Sequence, residues 1–446
     1  MNDLPLKVQK YLNKYSIPGW SVNINTEKVF NNIVVIPAIS EYENIKHLLA
    51  SILKLNSKYL FSTLFLFVIN NKKMIVEDIK KDNKQSLKLL ENIVHKNESG
   101  NDMLISSIIN SDINIGFIDA SSKDRELPGK TAGVGLARKI GMDHALSLFD
   151  FNNTSKKILI CLDADCIISK NYLTEIVETF NKKNINAAVI RYEHNIKKND
   201  NGTEAIICYE IFLRYYLLGL LYADSTYAFP TIGSAMACDV ESYIRVEGMN
   251  KRKAAEDFYF LEKLAKNYEI HEINNAVVYP SGRKSWRVPF GTGQRVGRFL
   301  SNVKDEYVLP DPVGFDILKN WLSLFLNDTE NDTAIVISKA KKISPQLYNF
   351  LTEQNFINIM NGIIKNSKSL KQLYNQKLRW FDGFKTLKFI HYLRDTAYPE
   401  INMFDALDEM FKMLNINFES KRKKGTIPHI DIQKKYLIEM RNYLYR

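Results

Sequence analysis

Residues Asn32–Leu55 read NIVVIPAISEYENIKHLLASILKL. The β-branched run Asn32–Pro37 ends at a proline, and beyond Glu41 the apolar residues Ile45, Leu48, Leu49 and Ile52 return at helical spacing. This is a strand, a loop and a helix. Further apolar runs follow at Leu64–Asn70 (LFLFVIN), Asp112–Asp119 (DINIGFID), Lys157–Asp163 (KILICLD) and Ala187–Tyr192, with helical segments such as Val134–Phe149 and Asn171–Lys182 between several of them. The alternation predicts an α/β fold with a mostly parallel sheet flanked by helices. Sheets of that kind bind ligands outside the carboxyl ends of their strands.

Past Pro310-Asp311-Pro312 the texture turns mainly helical, as in Trp380, Phe384, Leu387 and Ile390. The sequence predicts a sheet domain over residues 1–305 and a helical C-terminal region over 306–446, which suits 446 residues at about 150 per domain. A 45% apolar fraction excludes disorder, and 61 Lys and Arg against 50 Asp and Glu leave a net charge of +11 that favours anionic partners without ranking them. The basic run Lys421–Lys424 reads as a solvated face, with lipid or nucleic acid as its alternatives, and nucleic acid is not an expected partner.

Four scattered cysteines, Cys161, Cys166, Cys208 and Cys238, form no CxxC pair and read as free thiols of a reducing compartment. Met1–Gln9 mixes polarity and both charge signs, unlike a signal peptide. Of the longest apolar runs, Tyr59–Ile69 is too short to span a bilayer, and Glu210 and Arg214 interrupt Ile206–Ala223. The second reads as a buried amphipathic helix, with a membrane surface as the alternative. A cytoplasmic protein is expected, with peripheral contact at the inner face of a membrane left open.

In Ile158–Cys166, ILICLDADC, an apolar strand delivers Asp163 and Asp165 with Ala164 between them. Residues i and i+2 of a strand share a face, so both carboxylates can serve one site. The pair needs a cation or hydrogen-bond donors to neutralise it, and hard oxygen ligands suit Mg²⁺ or Mn²⁺ held together with substrate phosphates. The competing account is a cap for the next helix, where Ser169 serves as well. Glu256 and Asp257 form a second acidic pair before Phe260, Leu261 and Leu264, readable as helix capping or as a general base acting on an acceptor hydroxyl. Gly233–Ala237 offers small residues where backbone can approach a ligand. Glu126–Arg138, ELPGKTAGVGLAR, is a glycine-bearing loop entering a helix, with Lys130 and Arg138 adding charge for phosphate. A Walker A loop would need glycine at Asp124, and a dinucleotide fingerprint Gly or Ala at Arg138; neither is present.

Taken in order, these pieces resemble a family 2 glycosyltransferase of the GT-A fold over about residues 32–300: Val34–Ala38 with Glu41 and Glu43-Asn44-Ile45, Gly129-Lys130 with Gly135–Gly141, Leu162–Asp165, Gly233–Ala235 with Gly248-Met249, and Glu256-Asp257. The resemblance implies transfer of a sugar, with inversion, from a UDP- or GDP-linked donor to a hydroxyl acceptor on a glycan, a lipid-linked saccharide or a small molecule. It places a metal, Mn²⁺ or Mg²⁺, at Asp165, and Asp163 on the ribose or the metal, with Ala164 between them. It also implies a nucleotide pocket at Pro37, Ala38 and Glu41, and Asp257, beside Glu256, as the base. Asn70-Asn71 stand where the family carries an acidic residue at the nucleobase or ribose, and Ile39-Ser40 replace its commoner aromatic-Asn pair.

One literal match to the QxxRW element of processive members, Gln376–Trp380, lies 119 residues past Asp257 and reads as a surface turn with Trp380 packed inward. A polymer-extruding synthase is not expected. Ser281–Gly293 reads either as a lid, with Arg283 or Arg287 offsetting leaving-group charge and Trp286 stacking on a sugar, or as a solvated basic loop. His271 reads as a third metal ligand or as a structural residue. The alternatives to a transferase are an inert binding protein of the same fold, at a membrane or in an assembly, and a nucleotidyltransferase. The C-terminal helices are read as binding acceptor, forming a homo-oligomer or bracing the sheet.

Overall fold

A computed structural model describes residues 4–97, 102–196, 201–283, 291–301, 303, 305–327 and 332–446. The chain folds as two compact units, Met1–Asn195 with Thr231–Gln294, and Ile196–Pro230 with Arg295–Arg446. The sequence places a single division at residue 305; the packing gives the second unit an internal segment as well, because the apolar helix Asn201–Tyr222 belongs to its core.

The first unit is built on a nine-stranded sheet: β1 (Val22–Asn23), β2 (Asn32–Ala38), β3 (Thr63–Asn70), β4 (Asn114–Ala120), β5 (Ile158–Cys161), β6 (Ile167–Ile168), β7 (Ala187–Tyr192), β8 (Met236–Asp239) and β9 (Ile270–Tyr279), in the order β1-β4-β3-β2-β5-β8-β7-β9-β6. Strands β2, β3, β4, β5, β7 and β9 run one way, while β1, β6 and β8 run against them. The mostly parallel α/β sheet expected from the sequence is therefore present. Strands β2 and β3 are buried at every position, so they read as continuous apolar runs and not as alternating ones. Each fully buried Val, Ile or Leu contributes on the order of 1.5–3 kcal/mol. Strand β8, inserted antiparallel between β5 and β7, was not legible: its four residues, Met-Ala-Cys-Asp, follow a Gly-Ser-Ala run that reads as loop.

The chain leaves β2 toward β3 and β4, then crosses to β5 on the other side of β2, which makes the β2/β5 boundary a topological switch point. Pairing between β2 and β5 ends at Val35 with Cys161, whereas β2 and β3 stay paired to Ala38. Pro37, which has no N–H to donate, thus lies past the β5 ladder, and a crevice opens where the two strands part. Helix Val134–Ala145 crosses from β4 to β5 and lies close on the sheet, because a side chain at Gly141 would overlap Val35 and come within 2.9 Å of Val68.

The second unit is helical, as the sequence predicts for its C-terminal part, with a short antiparallel pair of Val308–Leu309 and Ile401–Asn402. Its core joins Ile207, Ile211, Tyr215 and Leu218 to Phe315, Trp321, Phe325 and Phe381, with Trp321 stacked on Phe325 at 4.7 Å. Helix Gly202–Tyr222 is long and apolar enough to cross a membrane, yet 72% of its apolar 18-residue window is buried inside the protein. Glu210 and Arg214, which interrupt its apolar run, form a buried i,i+4 pair, and Arg441 donates to Glu210 at 2.8 Å. In the basic run, Arg422 is turned inward and pairs with Asp405 and Asp408. Trp380 packs on Phe325 and Phe356, while Gln376 and Arg379 are exposed.

Candidate active site at the β2/β5 switch point

Asp163 and Asp165 lie just past β5. The strand stops at Cys161, the Leu162 N–H donates to Val35 O at 3.1 Å, and a turn closed by the Cys166 N–H on Asp163 O carries Asp163 and Asp165. A turn, not the two-residue repeat of a strand, therefore aims the pair. The two carboxyls remain close enough to interact: burial first, and then the Asp163 charge, push Asp165 up to about 6, while Arg283 acts in the opposite direction.

From this pair a line of charged contacts runs both ways. Toward the start of helix Glu256–Ala265, the buried Arg138 guanidinium donates through one terminal nitrogen to Asp163 and through the other to Glu256. Toward β2, Arg283 donates to Asp165 at 3.4 Å and also pairs with Glu41, which is buried and accepts from Asn44. The carboxyls of Glu41, Asp163, Asp165, Glu256 and Asp257 thus face the guanidiniums of Arg138 and Arg283. Among the described residues the acids here outnumber the cations.

The acidic pair after the 250–255 loop is aimed by backbone strain. Ala255, just before Glu256, adopts a left-handed conformation at φ +56°, uncommon for a residue with a Cβ. Glu256 is buried, and burial pushes it up to about 7, with Arg138 pulling it down and Asp257 pushing it up. Asp257 is also raised, chiefly by burial. It is half-buried, and one of its oxygens accepts the Phe258 N–H at 2.8 Å. Glu256 is held by Arg138, whereas among the described residues no side-chain cation bonds the second oxygen of Asp257.

Two of the three glycines in the Glu126–Arg138 loop, Gly133 and Gly135, are needed for packing, whereas Gly129 faces open space. Side chains at Gly133 and Gly135 would collide with Lys253 and Arg252, and one at Gly135 would come within 2.9 Å of Glu256 Cβ. They let the 250–256 loop close onto the helix, which brings Glu256 to Arg138. Arg138 itself is 1% exposed, so it forms the floor beneath the carboxylates; Lys130 is exposed on the preceding loop. Gly233 faces Arg138 as well: the space a Cβ would need is filled by the guanidinium, with Nη1 at 2.5 Å.

On the β2 side, Pro37 and Ala38 are buried and Asn70 is committed to the scaffold, donating to Ala38 O at 3.0 Å and Val68 O at 3.2 Å. Asn83, which sequence reasoning missed, holds the neighbouring loop. It donates to Asn70 O and Asn71 Oδ1 and accepts the N–H of Ser40, itself left-handed at φ +54°. The available signal was a polar residue on the apolar face of helix Glu77–Val94, between Ile79 and Leu87. Arg287 and Trp286 lie outside the described residues.

Asp163 and Asp165 suit a hard divalent cation, since Mg²⁺ is commonly held by one or two carboxylates plus substrate phosphates. Among the described residues no group of three or more His, Cys, Asp or Glu is arranged around a metal, so His271 on β9 joins no such cluster.

No family model and no curated protein matches the chain. Similar solved structures include S. aureus TarS residues 1–349 in complex with UDP-GlcNAc, at TM-score 0.37 and 12% identity, covering 90% of this chain and 97% of that one. Another is the mannosyltransferase PcManGT from Pyrobaculum calidifontis in complex with GDP-Man and Mn²⁺, at TM-score 0.36 and 12% identity, covering 97% and 91%. At TM-scores below 0.5 neither likeness bears on the function proposed below.

Proposed function

We propose that the chain is a glycosyltransferase of family 2 with a GT-A domain, which moves a sugar with inversion from a UDP- or GDP-linked donor to an acceptor hydroxyl. The observation that carries the reading is the Asp163/Asp165 pair at the carboxyl end of a switch-point strand, with a second acidic pair, Glu256/Asp257, tied to it through Arg138. One carboxylate pair suits the diphosphate end of a donor, and the other suits the proton of an attacking hydroxyl. That division of labour requires no protein nucleophile.

In this reading Asp163 and Asp165 hold Mn²⁺ or Mg²⁺, which when bound offsets the charge on the departing nucleoside diphosphate. Arg283 adds positive charge on the same side, Pro37, Ala38 and Glu41 border the nucleotide, and Asp257 takes the acceptor proton from the opposite face. The acceptor is a hydroxyl compound, glycan, lipid-linked or small. To test this, the purified chain is given Mn²⁺ and a panel of UDP- and GDP-sugars, and nucleoside diphosphate release is measured for the wild type and Asp257→Asn. Turnover of at least one donor is expected, with a loss of about 10²–10⁴-fold in the variant. Equal turnover by the variant overturns the base assignment. Pyrophosphate release indicates a nucleotidyltransferase, and no turnover of any donor favours the inert binding protein.

A further inference from the structure

Arg138 is the residue whose surroundings go furthest beyond the roles assigned so far. Its side chain is almost fully enclosed, and its two terminal nitrogens are divided between Asp163, on the donor side, and Glu256, on the acceptor side. Gly233 backs the guanidinium so closely that a Cβ there would lie 2.5–2.8 Å from Nη1, Nη2 and Cζ. Among the described residues Arg138 Nε is buried without a hydrogen-bond partner. A fork with both prongs engaged and its back against a glycine has one available orientation. An enclosed group of this kind does not reach out to a phosphate.

We propose that Arg138 is a positioning residue that contacts neither donor nor acceptor and braces the carboxylates of the two half-sites, Asp163 and Glu256, into one rigid frame. Asp163 is thereby held at a fixed distance from Glu256 and, through the backbone, from its neighbour Asp257. The leaving-group side and the base side are then set by a single planar cation. Lysine, a point charge on a flexible stem, cannot reproduce a planar fork that serves two acids at once.

This inference rests on the transferase reading for its kinetic test and is independent of it for its stability test. In the kinetic arm, Arg138→Ala and Arg138→Lys are assayed for UDP or GDP release from the sugar nucleotide that the wild type uses best. The expected result is a kcat loss of about 10–100-fold in both variants, with a smaller change in donor KM. Guanidinium at millimolar concentration restores part of the Ala variant's rate, and urea, of the same shape but uncharged, does not. A wild-type rate in Arg138→Ala, or a folded Ala variant that guanidinium leaves unrescued, overturns the proposal. In the stability arm, melting of the metal-free full chain is compared for Asp163→Asn, Glu256→Gln and the double variant. With either acid still present the buried cation keeps a partner, so the double variant is expected to lose more than the two singles together. Additive losses overturn the bracing even if the wild type transfers sugar; coupled losses in a chain that turns over no donor uphold the bracing and overturn the transferase reading.

Discussion

Replacing Gly233 with alanine tests how tightly the floor of the crevice is confined. The added Cβ would sit 2.5 Å from Arg138 Nη1, about 0.9 Å inside ordinary contact at 3.4 Å, and Nη2 and Cζ are almost as near. Arg138 cannot retreat without leaving Asp163 or Glu256. Overpacking of this kind costs about 1–3 kcal/mol. Alanine also removes freedom from the unfolded chain, worth about 0.4–1 kcal/mol in the opposite direction, so the net loss lies between about 0 and 2.6 kcal/mol with a midpoint of about 1.3 kcal/mol. At that midpoint the melting temperature of a unit of this size falls by about 3–5 °C. A misplacement near 1 Å at a reacting centre costs about 10²-fold, so nucleoside diphosphate release should fall by roughly 10–100-fold. The control is Gly362→Ala in helix Phe356–Asn366, where a Cβ meets nothing within 4 Å and the substitution should stabilise by about 0.5–1 kcal/mol. Differential scanning fluorimetry and the release assay, run on both variants, decide the matter. Wild-type melting and turnover in Gly233→Ala would refute the confinement of Arg138.

Two further expectations concern charge inside the first unit. Glu256 is raised from 4.5 to about 7, chiefly by burial, so the folded chain keeps a proton that the unfolded chain loses. Without metal, stability should therefore fall as pH rises from about 4.5 through about 7 and level off above, with the raised Asp165 and Asp257 acting in the same direction and Glu256→Gln reducing the slope; a melting curve that climbs over this window would contradict it. Elsewhere in the same unit, Asp143 accepts from Tyr11 at 2.8 Å and from Tyr243 at 2.7 Å and pairs with the buried Lys139 at 2.9 Å. Asp143→Ala removes that ammonium's counter-ion and leaves it only the Tyr11 hydroxyl at 3.2 Å, so it should cost about 3–5 kcal/mol in urea unfolding, whereas a loss below about 1 kcal/mol would mean that water reaches Lys139.

The sheet was readable because its central strands are buried on both faces and so leave uninterrupted β-branched and aromatic runs: Ala187–Tyr192 appears with the bounds expected, and β2 and β3 within one residue of theirs. Strand β8 escaped because four residues with two small side chains carry no period, and its antiparallel place between β5 and β7 comes from partners distant in the chain. Glu210 and Arg214 looked like breaks in an apolar helix, and only the arrival of Arg441 turns them into a buried network.

The candidate site divides in the same way. Local chemistry sufficed to single out Asp163, Asp165, Glu256 and Asp257, since acids at strand and helix ends need neutralising wherever they lie. Which cation neutralises which acid is a matter of three-dimensional placement. Arg138 and Glu256 are 118 residues apart and Arg283 and Glu41 are 242 apart, and no spacing rule spans such intervals. The glycines show the limit most directly. Their presence in the Glu126–Arg138 loop suggested room for a phosphate, but an absent side chain can equally report that something comes close: Gly133 and Gly135 meet the 250–256 loop, Gly233 on its own loop meets the Arg138 guanidinium, and Gly129 alone of these faces open space.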